Sequence, residues 1–156
     1  MSSVRQLQAY RTNQVSTADP GTILLMLYQG AIDFLTRAKD SLERGDMAEK
    51  GVGINRALAI ISEFLASLNF EVGGEVARNL ESLYLFMIDH IINANVANDP
   101  KPLEEAIALL RTLKEGWEGA IAAERKRVAQ VKQDLSPVQD KVMMQENHER
   151  GLAARA

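Results

Sequence analysis

The sequence contains few residues that could carry catalytic or metal chemistry. It has no cysteine and 2 histidines, His90 and His148. The lack of cysteine excludes disulfides, thiolate catalysis, Cys-ligated zinc, iron–sulfur clusters and covalently attached haem. A di-iron site in a helical bundle needs Glu-x-x-His pairs on facing helices. The residue at that spacing before His90 is Met87, and before His148 it is Gln145. The sequence therefore predicts no metal and no cofactor.

His90 carries the alternative functional hypothesis, a phosphotransfer or small-cofactor bundle. Its imidazole could accept a phosphoryl group or, together with a methionine from another helix, ligate a non-covalent haem. The next residues, Ile91-Ile92-Asn93-Ala94, include neither a basic side chain nor a glycine that would support a phosphate. We expect His90 to lie on a helix, at the surface or at the rim of the core, and the alternative stays open.

No motif for nucleophilic catalysis or nucleotide binding is present. The sequence lacks Gly-x-Ser-x-Gly, a P-loop and Gly-x-Gly-x-x-Gly. Gly51-Val52-Gly53 lies in helix-like sequence and lacks the third glycine of a dinucleotide motif. The Asp and Glu residues fall on polar faces, whereas catalysis by paired acids needs them together in a cleft. We therefore predict a protein that is not an enzyme.

The apolar spacing indicates helices that would position these residues. Asp19 is a favourable N-cap and Pro20 a favourable first residue for the first helix. Gly45-Asp46 separates this helix from the second, which we expect to end near Asn69-Phe70. Apolar residues of the first helix recur at alternating spacings of four and three, which is typical of a seam between packed helices. They are Leu24, Tyr28, Ala31, Leu35, Ala38 and Leu42.

Two further helices follow the same pattern. The paired glycines Gly73-Gly74 interrupt the chain, and we expect the third helix to start near Glu75. Asn98–Pro102 predicts the end of that helix and a turn, and the fourth helix follows from Leu103. Four helices with short connections predict an all-α, antiparallel up-down four-helix bundle.

The two ends of the chain differ from the predicted bundle. Residues 1–18 are mostly polar and form a predicted mobile N-terminal segment. Residues 19–122 form the bundle, and residues 123–156 form a C-terminal extension. In that extension, Ser136-Pro137 is expected to stop the fourth helix and leave a disordered tail. The basic run Arg125–Arg127 predicts a solvated face, with an acidic partner as the minor alternative.

Charge and hydropathy exclude several classes of function. The chain has 18 Lys and Arg against 21 Asp and Glu, a net charge of −3. It therefore lacks the basic footprint of a nucleic-acid-binding protein. The longest strongly apolar run, Ile23–Tyr28, is too short to span a bilayer, and Met1–Gln6 lacks the apolar core of a secretory signal. We expect a cytoplasmic protein without nucleic-acid binding or membrane insertion.

The first three helices carry more apolar surface than one seam each requires. Surplus apolar surface on a small protein indicates a partner groove, a dimer interface or a site where a terminal segment folds back. We predict a client-binding groove between the second and third helices, with Tyr84 and Asn95 at its surface edge. Its predicted residues are Ile54, Leu58, Ile61, Leu65, Asn79, Leu80, Leu83, Tyr84, Met87, Ile88, Ile91 and Asn95.

Several segments, in the right order, resemble the flagellin-specific export chaperone family. They cover most of the predicted bundle, roughly residues 10–120. The matching segments are Asn13–Pro20, Met26–Leu35, Glu71–Leu80, Leu83-Tyr84, Asn93–Asn95 and Leu109–Trp117.

The resemblance implies a cytoplasmic chaperone of the flagellar type III export system. Its client would be monomeric flagellin, bound through a C-terminal segment that is disordered before the filament assembles. The chaperone would prevent early polymerisation and deliver flagellin to the export apparatus. The resemblance also implies that an N-terminal segment covers the groove when no client is bound, and Val4, Leu7 and Tyr10 would form this plug. Whether the free chain is a monomer or a homodimer stays open.

Overall fold

The computed structural model describes residues 19–155, which form four α-helices and no strand. Helix α1 spans Pro20–Glu43, α2 spans Met47–Ala66, α3 spans Phe70–Ala97 and α4 spans Lys101–Arg155. Of these residues, 19–117 belong to one compact unit and 118–155 to a second. The first unit is the bundle, and the predicted all-α class and helix number are confirmed. No helix within residues 19–155 combines the length and apolar composition of a membrane span.

Side-chain caps start the first three helices. The Oδ1 atom of Asp19 accepts a hydrogen bond of 2.9 Å from the backbone N–H three residues further on. Asp46 and Asn69 make the same contact at 3.2 and 3.1 Å. Each bond satisfies an N–H group that the helix itself leaves unpaired. The predicted starts of α1 and α2 are therefore confirmed.

The prediction that the third helix starts near Glu75 is wrong. Helix α3 begins at Phe70, and α2 ends at Ala66 rather than near Asn69-Phe70. The Asn69 cap allows a first turn before the paired glycines. Gly74 then interrupts the helix with φ 51° and ψ −121°, a conformation suited to glycine. The glycines therefore produce a kink inside α3 instead of its beginning.

The core of the bundle is built from aliphatic and aromatic side chains of all four helices. Helices α1 and α2 approach closely at Gly53. A Cβ atom there would lie 2.7 Å from the carbonyl oxygen of Phe34 and 3.1 Å from Cβ of Ala38. The largest fully buried side chains are those of Tyr28, Leu35, Ile54, Ile61, Met87, Ile91, Leu103 and Leu110.

A buried lysine joins the start of α2 to the end of α3. Lys50 is only 7% exposed, and its Nζ atom donates to the backbone oxygen of Asn95 and to Oδ1 of Asn98. Asn98 is the left-handed C-cap of α3, with φ 51°. The ammonium therefore lies where the helix dipole and the last carbonyl groups favour a positive charge.

Helix α4 continues past the bundle, through Pro137, to Arg155. The prediction that Ser136-Pro137 ends the helix is wrong. An internal proline removes one backbone hydrogen bond and bends a helix, but good helix-forming residues on both sides can maintain it. The domain boundaries at residues 18 and 122, and a disordered tail, stay predictions.

Candidate functional site

An apolar cleft of about 340 Å³ lies at one end of the bundle. It is formed where the start of α1, the end of α2, the kinked start of α3 and Trp117 of α4 come together. Most of its wall is apolar, with a serine and an asparagine at the α2–α3 connection. The lining residues are Leu24, Phe64, Ser67, Leu68, Asn69, Val72, Gly73, Val76, Ala77, Leu80, Tyr84 and Trp117.

Aromatic side chains from all four helices pack at the cleft. The rings of Tyr28 and Phe64 stack with their centroids 4.4 Å apart. The Phe64 ring lies 5.6 Å from that of Tyr84. Trp117 of α4 joins them through its indole nitrogen, which donates to the Tyr28 hydroxyl at 3.1 Å. Stacked and tilted pairs of this kind add to the energy of burial, so they stabilise this wall of the cleft.

The polar atoms of this aromatic cluster are satisfied by one another. The hydroxyl oxygens of Tyr28 and Tyr84 lie 2.6 Å apart and share a hydrogen bond. Burial raises the pKa of both tyrosines. The hydrogen bond with Tyr28 raises the pKa of Tyr84 further. Both phenols are therefore neutral at physiological pH. The cluster presents an uncharged surface to whatever enters the cleft.

Exposed apolar side chains line the outer rim of the cleft. Val72 and Val76 on α3 are 86% and 64% exposed. A Cβ atom on Gly73 would lie 2.8 Å from Cβ of Ala77. Any larger residue at position 73 would therefore clash with the next turn of α3, and glycine avoids this clash. The kink at Gly74 brings the first turn of the helix, with Val72, to the rim.

The structure places five residues of the predicted groove in the core. Ile54, Ile61, Met87 and Ile91 are fully buried and Tyr84 is 2% exposed. The four fully buried side chains were wrongly predicted to line an accessible groove along α2 and α3, because alternating spacing describes a core seam equally well. Tyr84 is also not at a surface edge, since its hydroxyl is buried against Tyr28.

The other predicted groove residues lie nearer to the surface. Asn79 is exposed, and the remaining six are half-buried. Leu80 and Tyr84 are the two members of the predicted set that line the cleft. The half-buried residues are Leu58, Leu65, Leu80, Leu83, Ile88 and Asn95. The predicted plug residues Val4, Leu7 and Tyr10 lie outside the described residues.

Several cleft residues were missed from the sequence. Leu24, Phe64 and Trp117 come from three different helices, so no single apolar stripe reveals that they meet. A weak signal existed, because Trp117 is the chain's single tryptophan and Val72 and Val76 are spaced by one helical turn beside the paired glycines.

The surroundings of His90 favour a structural role. Its Nε2 atom pairs with the Glu105 carboxylate, and its ring stacks on Phe86 with centroids 4.6 Å apart. One of the two ring nitrogens that could attack a phosphoryl group is thus held by an acidic partner on another helix. Within residues 19–155, no group of three His, Asp or Glu side chains is arranged to hold a metal ion.

Fold and cleft together define a helical-bundle protein with an open apolar cleft. The family model described as "Flagellar protein FliS" matches residues 3–125. The flagellar secretion chaperone FliSB of Pseudomonas aeruginosa is 39% identical over 120 residues, which cover 76% of this chain and 95% of that protein. The flagellar secretion chaperone FliS of Salmonella typhimurium is 41% identical over 104 residues, covering 66% of this chain and 77% of that protein.

The chain belongs to the FliS family of flagellar proteins. Relatives in this family are named as chaperones, a role without catalysis, so the prediction that the chain is not an enzyme is confirmed. A solved structure described as "Crystal structure of flagellar chaperone from bacteria" has the same fold. It superimposes with a TM-score of 0.63 at 19% identity, covering 78% of this chain and 98% of that one.

Proposed function

We propose that this flagellar export chaperone binds the disordered C-terminal segment of flagellin in the apolar cleft. The observation that carries the proposal is an open, uncharged cleft with an aromatic wall and an exposed valine rim. An amphipathic helix recognised through spaced apolar anchors needs such a surface. The chaperone role of the relatives supports the same interpretation.

The area available to a client extends beyond the cleft. A segment that folds on binding loses conformational entropy, so it must bury a large apolar surface to bind with useful affinity. Exposed apolar side chains on the outer faces of α1 and α3 offer that area. They include Met26, Leu27, Leu85, Phe86 and Ile92. The client would therefore wrap around the bundle, with the cleft as its anchoring point.

Binding of this kind would keep flagellin from polymerising early and would deliver it to the flagellar type III export apparatus. Both steps place the protein in the cytoplasm, where flagellin is made. No nucleotide motif is present in the sequence, so release would come from competition by the export apparatus. The proposed partners are flagellin, the export apparatus and a second copy of this chain.

The N-terminal segment is proposed to act as a plug for the client site. Its apolar residues Val4, Leu7 and Tyr10 recur on one face at helical spacing. If the segment competes with the client, removal of residues 1–18 tightens binding of a flagellin C-terminal peptide or speeds its association. Unchanged affinity and unchanged association rate would contradict the plug.

Calorimetric titration tests the proposed function. The chain is titrated with a peptide of the flagellin C-terminal segment at several temperatures, with a peptide of the same composition in scrambled order as the control. We expect saturable binding of the native peptide and a negative heat-capacity change, the mark of apolar burial. Absence of binding, or equal binding of the scrambled peptide, would contradict the proposal.

A further inference from the structure

The part of α4 beyond the bundle carries an apolar stripe. In residues 118–155, apolar side chains recur at alternating spacings of three and four, and they are between 38% and 56% exposed. The stripe consists of Val128, Val131, Leu135, Val138 and Val142. Nearly every other side chain in this segment is polar, small or charged. Alternation of this kind is the signature of a two-stranded coiled coil.

The stripe follows the heptad letters of a coiled coil. If Val128 is an a position, Leu135 and Val142 are the next two a positions, and Val131 and Val138 are the d positions between them. The same frame places Ile121 at an a position and Leu152 at a d position. It places Pro137 at a c position, off the seam, so the proline does not interrupt the apolar contact surface.

We propose that this stripe binds the same stripe of a second copy of the chain, as an antiparallel two-stranded coiled coil. The two-fold axis passes between residues 136 and 137. In this register Leu135 lies opposite Val138 of the second copy, and Val131 lies opposite Val142 of the second copy. Near the ends of the segment, Ile121 faces Leu152 of the second copy, which adds a further apolar layer.

The charged residues beside the seam favour a second copy of this chain as the partner and an antiparallel orientation of the two helices. In antiparallel pairs, g positions face g positions and e positions face e positions, and these contacts decide partner choice and orientation. The proposed register brings Asp134 opposite Lys141 of the second copy, twice by symmetry. It also brings Arg125 opposite Glu146 of the second copy, again twice. Four pairs of opposite charge therefore flank the apolar layers.

Other arrangements of the same helix lose this complementarity. A parallel pair would place Arg127 opposite Lys132 of the second copy, which is repulsive, and Lys141 opposite Glu146, which is attractive, so these flanking charges offset each other. An antiparallel pair centred half a heptad earlier, between residues 132 and 134, would place Asp134 opposite Asp134 and Lys132 opposite Lys132. Neither alternative has the four pairs of opposite charge that flank the proposed register.

Two kinds of layer in the proposed register are polar. Val128 faces Gln145 of the second copy, and Glu124 faces Glu149 of the second copy. Arg127 already bonds the Glu124 carboxylate, at 2.7 Å through its Nη2 atom, and this charge lowers the pKa of Glu124. Both layers reduce the affinity of the coiled coil, and the one that pairs Glu124 with Glu149 does so by repulsion of like charges. They lie away from the axis, where Leu135 and Val138 form the apolar centre.

This self-association is separate from client binding. The family match ends at residue 125, so most of the coiled-coil segment lies beyond it. All residues that line the cleft precede residue 118. Failure of the flagellin titration would therefore leave the coiled coil standing, and a monomeric chain would leave the proposed function standing.

Sedimentation of the full chain tests the interface. We expect a monomer–dimer equilibrium that Leu135→Asp weakens by roughly tenfold or more, since about 1.4 kcal/mol corresponds to a factor of ten. The matched control is Gln133→Asp, which adds the same charge at an f position on the opposite side of the helix. A monomeric chain at all concentrations, or equal weakening by both variants, would overturn the proposal.

Cross-linking tests the direction, because the chain has no cysteine of its own. Val131→Cys chains mixed with tagged Val142→Cys chains should form a disulfide-linked heterodimer under mild oxidation. Val131→Cys alone should cross-link poorly, because the two cysteines would lie about 16 Å apart along an antiparallel pair. Rapid cross-linking of Val131→Cys alone, or no heterodimer in the mixture, would overturn the antiparallel register.

Discussion

The hydroxyl groups of Tyr28 on α1 and Tyr84 on α3 share a buried hydrogen bond of 2.6 Å. The contact joins helices that are separated in sequence by the whole of α2. Trp117 of α4 donates to the same Tyr28 oxygen, and Phe64 of α2 lies between the two tyrosine rings. The wall of the cleft is therefore held by two hydrogen bonds at the Tyr28 hydroxyl, surrounded by aromatic packing.

This tyrosine pair should make the folded chain less stable at alkaline pH. Burial holds the pKa of Tyr28 and Tyr84 above the ordinary value of 10.0 in the folded chain. As pH rises past 10, tyrosine loses its proton in the unfolded chain first, so the free energy of unfolding falls. Each such tyrosine contributes a slope of up to about 1.4 kcal/mol per pH unit. We expect urea unfolding between pH 8 and pH 11 to show this loss.

Tyr84→Phe removes one of the two titrating groups and the shared hydrogen bond. At neutral pH we expect a loss of about 1 kcal/mol, the usual net worth of such a bond. Above pH 10 the variant should lose stability less steeply than the original chain. If the free energy of unfolding falls equally steeply with pH in the two chains, the pKa of Tyr84 is not raised by folding.

Lys50 contributes stability where it closes the end of α3. Lys50→Met keeps the length of the aliphatic stem but removes the donor to the Asn95 carbonyl and the Asn98 side chain. Because hydrogen bonds from a charged group are worth more than neutral ones, we expect a loss of roughly 2 kcal/mol in urea unfolding.

The matched control is Lys39→Met on α1. Lys39 pairs with Glu104 at 3.1 Å in a more exposed setting, and such surface pairs contribute about 0–1 kcal/mol. Equal losses for Lys50→Met and Lys39→Met would show that the buried contacts of Lys50 add nothing beyond a surface charge.

The kink of α3 should be sensitive to a single methyl group. Gly74 has φ 51°, and a side chain there is strained although nothing lies within 4 Å of the added Cβ. We expect Gly74→Ala to cost roughly 1–3 kcal/mol in the free energy of unfolding, the usual cost of such strain. Gly116→Ala on α4 is the control, with open space around it and no strained φ, and should stabilise by about 1 kcal/mol. Stabilisation by both substitutions would show that the kink is not required.

The sequence could predict what depends on neighbouring residues along the chain. Asp19 and Asp46 cap helices because the hydrogen bond closes within one turn, and the cap can be recognised locally. The position of Tyr84 could not be predicted from its stripe, because alternating apolar residues face a core or a groove with the same spacing. Only the packing of α1 shows that the Tyr84 hydroxyl meets Tyr28.

The cleft was harder to predict than the helices. It is made of the ends of several helices, so Leu24 and Trp117 become neighbours only after the bundle has formed. Family resemblance indicated a client-binding chaperone, but it could not say which apolar surface remains open. The half-buried residues Leu58 and Leu83 stay predicted client contacts of the groove between α2 and α3.

The most direct test of the account compares two exposed valines of α3. Val76, 64% exposed, lies at the rim of the cleft, and Val96, 80% exposed, lies at the opposite end of the helix. The flagellin C-terminal peptide is titrated calorimetrically into Val76→Asp and Val96→Asp, with circular dichroism to show that both retain their helices. A charge in the cleft should weaken binding by roughly tenfold or more, about 1.4 kcal/mol, and the same charge at residue 96 should weaken it far less. Undiminished binding by a folded Val76→Asp chain would contradict the cleft as the client site.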